Sequence, residues 1–195
     1  LPVTQSYTYE NDQMKTITHN GMEYSFVYDG LGNMTQANVG NQTITMNTYK
    51  ANSNLTDTVI YGNGSGISHE YDEFDRISKK YSVKDDGTKV VDFEYVYDNE
   101  GNLSYVIDKE NDDCLHYLYN AANQMVRVEN KNNHFVLFNY DENGKLKGIK
   151  QNYGEETTEN AYEYDADYRE TKTTTLGEKH LVSSYDAFGR LTSQM

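Results

Sequence analysis

The chain has 195 residues and a mass of 22.4 kDa, with 17 Lys and Arg against 31 Asp and Glu, which gives a net charge of −14. This charge excludes a nucleic-acid partner, which needs a basic surface, and it repels anionic membrane surfaces. No apolar run approaches the ~20 residues of a membrane-spanning helix. The single cysteine, Cys114, excludes an internal disulfide framework and a cysteine-rich zinc site.

The hydrophobic fraction of 36% and the mean hydropathy of −0.89 are, by themselves, typical of disorder. The aromatic content argues for a folded chain, because 19 Tyr and 6 Phe make up 13% of the residues. Each aromatic side chain buries about 150–250 Å². We therefore expect a folded domain in which tyrosine rings supply much of the apolar surface.

A repeated frame runs through the whole sequence. It consists of an aromatic residue, any residue, Tyr, Asp, two residues, Gly, a polar residue, and then Leu or Met. Successive anchoring tyrosines are 19 to 26 residues apart, with a mean of 22, and such a period is the signature of a repeat architecture. The nine anchors are Tyr9, Tyr28, Tyr49, Tyr71, Tyr97, Tyr119, Tyr140, Tyr164 and Tyr185.

The first predicted element of each frame is a strand that ends at the anchor. A second aromatic residue stands two positions earlier in most frames, and this spacing places both rings on one face of a strand. These earlier aromatic residues are Tyr7, Phe26, Tyr95, Tyr117, Phe138 and Tyr162.

A turn follows the anchor. An Asp that leaves a strand can accept a hydrogen bond from the backbone N–H two residues later, and a Gly supplies the positive φ that such a turn needs. Glu10 and Asn120 are variants at the Asp position. The turns that best match the frame contain Asp29 and Gly32, Asp98 and Gly101, Asp141 and Gly144, and Asp186 and Gly189.

A second strand begins at the returning Leu or Met, so each frame is predicted to be a β-hairpin. Further turn signals separate the frames, for example Asn20-Gly21 and Asp86-Gly87. Nine frames therefore predict an all-β antiparallel meander of about 18 strands, with almost no room for helix. Because open sheets rarely exceed about ten strands, we expect the array to coil into a spiral, a roll or a partial barrel.

Two frames depart from the pattern in ways that predict local distortion or a bulge. The third frame has Asn47 in the aromatic position and Lys50 in the Asp position, and the eighth has Tyr168 in the Gly position and Glu170 in place of Leu. The first frame is one residue short, because Met14 follows its anchor by only five residues.

The frame resembles the YD repeat of the Rhs family, which includes bacterial polymorphic toxins, shell subunits of insecticidal toxin complexes, and teneurins. The resemblance covers residues 1–195 as a single array, and YDAFGRL at 185–191 is the best match. It implies a sheet that spirals into a hollow shell around a C-terminal toxin or other module. The partners would be the rest of the parent shell and its cargo, and the parent would be a bacterial protein that is secreted or displayed on the cell surface.

The same resemblance implies no enzymatic activity, since the family's core-closing segment with its DP motif and self-cleaving carboxylates does not appear, and the sole proline is Pro2. No catalytic residue of the family can be carried over. Because the chain starts at Leu1 and stops inside a predicted hairpin, we expect an internal piece of a larger protein.

The residues that could support other chemistry have simpler explanations. His69 occupies an aromatic position of its frame, and the glycine-rich segment 62–66 is followed by a strand frame, whereas a phosphate loop needs a helix. Cys114 and His116 share a strand face, but no orienting acid or oxyanion hole can be placed around them. We therefore predict no catalytic residue, no cofactor and no metal site.

Three interactions remain open alternatives. Turns such as 98–101 and 141–144 offer two or three oxygen ligands, whereas calcium takes six to eight, so stacked turns would have to combine. Exposed aromatic hairpins could bind cell-wall glycan or other carbohydrate. Unpaired terminal strands could form an edge-strand homodimer or aggregate.

Overall fold

The computed structural model describes residues 4–167, 169–175 and 178–195. These residues form strands joined by turns, and they include no helix long and apolar enough to span a bilayer. The strands are β1 (Gln5–Glu10), β2 (Gln13–His19), β3 (Met22–Tyr28), β4 (Met34–Val39), β5 (Gln42–Tyr49), β6 (Thr56–Tyr61), β7 (Gly66–Tyr71), β8 (Ile77–Val83), β9 (Lys89–Tyr97), β10 (Leu103–Asp108), β11 (Asp113–Tyr119), β12 (Met125–Asn130), β13 (Phe135–Tyr140), β14 (Leu146–Tyr153), β15 (Glu156–Tyr164), β16 (Glu170–Thr175), β17 (Glu178–Tyr185) and β18 (Leu191–Gln194).

The predicted antiparallel meander is confirmed. The described residues contain eighteen strands and no helix, and each described register joins a strand to the next one in the chain. The coiling of the array into a spiral, roll or partial barrel stays a prediction.

The chain divides into two compact units, residues 1–95 with 108–110, and residues 96–107 with 111–195. Within each unit the extensive contacts are between consecutive strands, as expected for a single sheet layer. Among the described residues, Ala37 and Val83 are the buried hydrophobic ones, and the anchors from Tyr28 onward are half-buried. The tyrosine rings therefore cover a sheet face without forming a closed core, and stability must come largely from contacts between neighbouring hairpins.

A β-bulge lies at the anchor of each described hairpin register. Val27 pairs with Gln36, but the next residue, Tyr28, pairs with Met34. Thr35 of β4 is therefore left without a pairing residue on β3. The same shift occurs at Tyr9, Tyr49, Tyr71, Tyr119, Tyr140, Tyr164 and Tyr185.

The two divergent frames differ from each other. Tyr49 pairs with Thr56, seven residues later, so the third frame has a turn one residue longer than the regular frames and its strand begins after Leu55. Tyr164 pairs with Glu170, six residues later, which is the regular register. The bulge expected in the eighth frame is therefore a feature of the repeat itself, and the position of Tyr168 lies outside the described residues.

Candidate functional site: the tyrosine row and the turn row

The anchor hydroxyls form a repeated set of hydrogen bonds, which we call the tyrosine row. In the seven described bonds, the hydroxyl donates to a backbone carbonyl at the start of the second strand of the preceding hairpin. For example, Tyr28 pairs with Met34, and Tyr49 donates to the Met34 carbonyl at 2.7 Å. The other described bonds are Tyr28 to Met14 (2.9 Å), Tyr71 to Thr56 (2.6 Å), Tyr119 to Leu103 (2.9 Å), Tyr140 to Met125 (2.8 Å), Tyr164 to Leu146 (2.7 Å) and Tyr185 to Glu170 (3.0 Å).

The bulge explains why these carbonyls accept a side chain. A bulge locally disrupts the regular ladder beside the pair that the anchor makes, and a buried or half-buried carbonyl needs a hydrogen-bond partner. A phenol hydroxyl supplies that partner from the next hairpin. Our sequence interpretation assigned the rings to apolar burial and missed the hydroxyl. The signal was present, because all nine anchors are Tyr whereas the earlier aromatic position also contains Phe26 and Phe138.

The Asp after the anchor organises the turn. Oδ1 of Asp141 accepts from the backbone N–H groups of Asn143 at 2.9 Å and Lys145 at 2.8 Å, and the Gly144 N–H donates to the Asp141 carbonyl at 3.0 Å. Gly144 has a φ of +81°. Corresponding carboxylate bonds occur at Asp29, Asp72, Asp98, Asp165 and Asp186.

An arginine four residues after the Asp strengthens three of these turns. The Nε of Arg76, Arg169 and Arg190 donates to Oδ2 of the respective turn Asp at 2.7 Å. Hydrogen bonds from the backbone and side chain of Arg190 hold the pKa of Asp186 below 3.8, and those from Arg169 do the same for the pKa of Asp165. These carboxylates therefore remain ionised at neutral pH while they accept hydrogen bonds.

Two variant turns show what the carboxylate contributes. Asn120 forms the same pattern as Asp, since its Oδ1 accepts from the N–H groups of Ala122 and Gln124 at 2.9 and 3.0 Å. Lys50 cannot accept such bonds, and the Ser53 hydroxyl instead accepts from the Leu55 N–H at 3.1 Å. An acceptor oxygen is thus retained in the longer third turn.

In several hairpins, the residue just before the returning Leu or Met, or before the residue in its place, reaches the turn of the next frame, and we call this set of contacts the turn row. Gln124 donates to the Gly144 carbonyl at 2.8 Å, and a Cβ on Gly144 would lie only 3.0 Å from the Gln124 Nε2. The guanidinium carbon of Arg169 lies 5.0 Å from the centre of the Tyr185 ring. A Cβ on Gly189 would lie 3.1 Å from the Nη1 atom of Arg169. The turn glycine therefore provides both a positive φ and room for a neighbour's side chain.

The residues considered for other chemistry lie in ordinary sheet contacts. His69 Nδ1 is 3.2 Å from the Thr56 carbonyl, and the His116 ring stacks on Tyr105 at 4.2 Å with its Nδ1 3.4 Å from Glu129. Residues 62–65 of the glycine-rich segment form the turn between β6 and β7, and Gly66 is the first residue of β7. Within the described residues, no group of three or more His, Cys, Asp or Glu side chains could hold a metal ion.

Comparison with known proteins supports the fold. No protein-family model matches the sequence, and no curated protein matches it. The crystal structure of TcdB2-TccC3 has a TM-score of 0.68 and 15% identity over 97% of this chain. Those of TcdB2-TccC3-Cdc42, and of TcdB2-TccC3 without its hypervariable C-terminal region, each have a TM-score of 0.66 and 13% identity over 97% of this chain.

At 13–15% identity, the structural similarity to these chains shows the fold alone, which is a sheet of hairpin repeats. The chain has the fold of a segment of the TcdB2-TccC3 chains. It spans 12% of the length of one of them and 14% of the other two.

Proposed function

We propose that this chain is a non-enzymatic structural segment of an Rhs/YD-repeat shell, in which its hairpins form part of the wall. The observation that carries the proposal is the tyrosine row. One bond type recurs from hairpin to hairpin with the same bulge, and such nearest-neighbour contacts extend a sheet without a central core.

The structural neighbours support a shell role for the parent protein. One of the TcdB2-TccC3 structures was determined without a hypervariable C-terminal region, so that protein has such a region at its C-terminus. By analogy, the parent of this chain would enclose or display a C-terminal toxin or other module. Its partners would be the remaining shell and that cargo, and it would be a bacterial secreted or cell-surface protein.

The reading frame around this segment provides the first test. The shell role predicts further YD frames on both sides and a dissimilar module after the last frame. In the purified full-length product, that module should resist a protease that digests it readily when it is expressed alone. Flanking wall-anchoring modules without further frames, or a module digested equally fast in both forms, would contradict the proposal.

The absence of enzymatic activity is a separate part of the proposal. It is supported by the sheet contacts of His69 and His116 described above, which occupy both histidines in packing. The pure chain should therefore not turn over a panel of ester, peptide, glycoside and phosphoester substrates. Hydrolysis that disappears on His116→Gln, with the far-UV circular dichroism spectrum unchanged, would refute it.

Carbohydrate binding is the second candidate, and exposed rings at the turns favour it. Phe74 and Phe188 stand two residues after the turn Asp and are 69% and 86% exposed. Flat exposed rings of this kind can stack on sugar rings. A glycan array and a peptidoglycan pull-down test this candidate, since binding should be lost in the double variant Phe74→Ala/Phe188→Ala. Binding retained in that variant, or none in the native chain, would eliminate these rings as ligand contacts.

A further inference from the structure

The turn between β2 and β3 has a side-chain amide next to a glycine nitrogen. Asn20 and Gly21 form this two-residue turn, with His19 paired to Met22. Their φ values of +48° and +82° are those of a type I′ hairpin turn. His19, Asn20 and Gly21 are all exposed, so water reaches every atom of the turn that could react.

The backbone nitrogen of Gly21 is the nucleophile that this turn offers. Its N–H has no hydrogen-bond acceptor among the described residues. An amide nitrogen must lose its proton to attack a carbonyl carbon, and an N–H that already donates to a carbonyl loses that proton less readily. Because glycine has no Cβ, its own side chain does not hinder the approach of its nitrogen to the Asn20 Cγ.

Two further groups contact the Asn20 amide. The Thr4 backbone N–H donates to Asn20 Oδ1 at 3.3 Å, so it would stabilise the negative charge that develops on this oxygen when Cγ is attacked. The His19 Nε2 lies 3.5 Å from Asn20 Nδ2, where an imidazole can protonate the departing nitrogen. A nucleophile, an oxyanion donor and a proton donor are thus gathered around one amide carbon.

We infer that Asn20-Gly21 is a site of spontaneous succinimide formation, at which the chain modifies itself. The Gly21 nitrogen forms a bond to Asn20 Cγ and gives up its proton, and the Cγ–Nδ2 bond breaks. His19 supplies one proton to Nδ2, so that ammonia departs and the protons balance. Water then opens the five-membered ring at one of its two carbonyl carbons, which yields aspartate or isoaspartate without oxidation or reduction.

The two products differ in what they do to the turn. Aspartate adds a negative charge but keeps an acceptor oxygen for the Thr4 N–H. Isoaspartate adds one carbon to the main chain of a two-residue turn, so it should weaken both hydrogen bonds between Asn20 and Thr4. The reaction is a single intramolecular event with no external substrate, and it is independent of the proposed shell role.

The chain contains two other Asn-Gly bonds, which serve as internal controls. The Gly64 N–H donates to the Tyr61 carbonyl at 2.8 Å, and the Gly144 N–H donates to the Asp141 carbonyl at 3.0 Å. Both glycine nitrogens are therefore engaged in their turns. We expect these two bonds to react more slowly than the bond at Gly21 while the chain is folded.

Peptide mapping by mass spectrometry tests the inference. The purified chain is incubated folded and in urea at the same mildly alkaline pH, and the amide-to-carboxyl mass change is followed at Asn20, Asn63 and Asn143. In the folded chain Asn20 should convert first, and it should convert faster than in urea because the folded turn holds its assisting groups. In urea all three should convert at similar rates, since the dipeptide is the same.

Removal of the imidazole gives an independent readout. His19→Gln should slow the conversion of Asn20 in the folded chain about tenfold, a small effect for a general acid because the site is exposed. His134→Gln removes an imidazole next to the start of β13 and should leave the rate unchanged. Circular dichroism checks that both variants remain folded.

Four results would overturn the inference. They are equal conversion of the three Asn-Gly bonds in the folded chain, slower conversion of Asn20 in the folded chain than in urea, and an Asn20 rate that is the same in His19→Gln and the native chain. The fourth is cleavage of the chain after Asn20, which would mean that Nδ2 attacks the Asn20 backbone carbonyl instead.

Discussion

The anchor hydroxyl is the atom that joins one frame to the next. Tyr140 donates to the Met125 carbonyl at 2.8 Å, and without it this carbonyl would lack its partner from the neighbouring hairpin. A typical intramolecular hydrogen bond makes a net contribution of roughly 0.5–1.5 kcal/mol to stability. Tyr140→Phe should lower the free energy of unfolding by that amount, measured by urea denaturation with far-UV circular dichroism.

Tyr153→Phe is the matched control for the anchor. Tyr153 is 56% exposed, and its hydroxyl has no hydrogen-bond partner among the described residues. Its removal should change the free energy of unfolding by no more than a few tenths of a kcal/mol. Equal effects of the two substitutions would show that the anchor ring, and not its hydroxyl, stabilises the array.

The turn glycine is constrained by its neighbour as well as by its own backbone. Gly144 and Gly87 have φ values of +81° and +82°, but a Cβ on Gly87 would meet nothing within 4 Å. Both Gly→Ala changes should therefore incur the left-handed penalty of about 1–2 kcal/mol. Gly144→Ala should lose about 1 kcal/mol more because it displaces the Gln124 amide.

A double-mutant cycle separates the two terms for Gly144. In a Gln124→Ala background, Gly144→Ala should destabilise the chain by the same amount as Gly87→Ala does in the native chain. If the penalty of Gly144→Ala is unchanged by the loss of Gln124, the turn row contributes nothing at this position.

At the level of the element, the Asn120 turn indicates that an uncharged acceptor oxygen is sufficient to organise the hairpin turn. Asn120 makes the same two backbone bonds that Asp141 makes. Asp141→Asn should therefore be nearly neutral, whereas Asp141→Ala should cost about 1–2 kcal/mol because two N–H groups lose their acceptor. Urea denaturation of the pair checks this, and equal losses would show that the charge itself is required.

The sequence could predict these turns because their chemistry is local. Asp29 and Gly32 lie within one turn. An Asp that accepts backbone hydrogen bonds and a Gly that adopts a positive φ together predict the backbone geometry of that turn. The tyrosine row could not be predicted in the same way, since the Tyr49 hydroxyl and the Met34 carbonyl are brought together only by the bulge. Regular alternation in sequence gives no sign of that bulge. The sequence predicted a distortion in the third turn but not its extra residue. It also did not predict that the Ser53 hydroxyl would supply the acceptor oxygen that Lys50 lacks.

For the whole molecule, acid should weaken the array through its turn carboxylates. Hydrogen bonds lower the pKa of Asp29, Asp165 and Asp186 below 3.8. A carboxyl whose folded pKa is depressed contributes stability above its unfolded pKa and loses that contribution as pH falls through the folded value. Thermal midpoints should therefore be flat from pH 7 to about pH 5 and should fall below about pH 4.

The acid effect can be assigned to particular turns with Asp165→Asn/Asp186→Asn. The amides retain the acceptor oxygen but do not titrate, so the midpoint of this variant should fall less steeply between pH 4 and pH 2. The native chain and the variant are compared in the same buffers by circular dichroism. Parallel curves would mean that other carboxylates cause the acid sensitivity.

In the whole molecule, each hairpin is joined mainly to the hairpins next to it in the sequence. A chain with so few buried hydrophobic residues is stabilised mainly by each hairpin's neighbours, which suits a wall extended by repetition. It also explains why the fold could be recognised from nine frames in the sequence.

Electron cryomicroscopy of the full-length gene product tests the wall role most directly. The account predicts a hollow particle in which residues 5–194 form consecutive hairpins of its wall, with the anchor hydroxyls bonded to the preceding hairpin and the C-terminal module inside or displayed at one end. A particle in which these hairpins form a free-standing surface module, with ligand on Phe74 or Phe188, would contradict it.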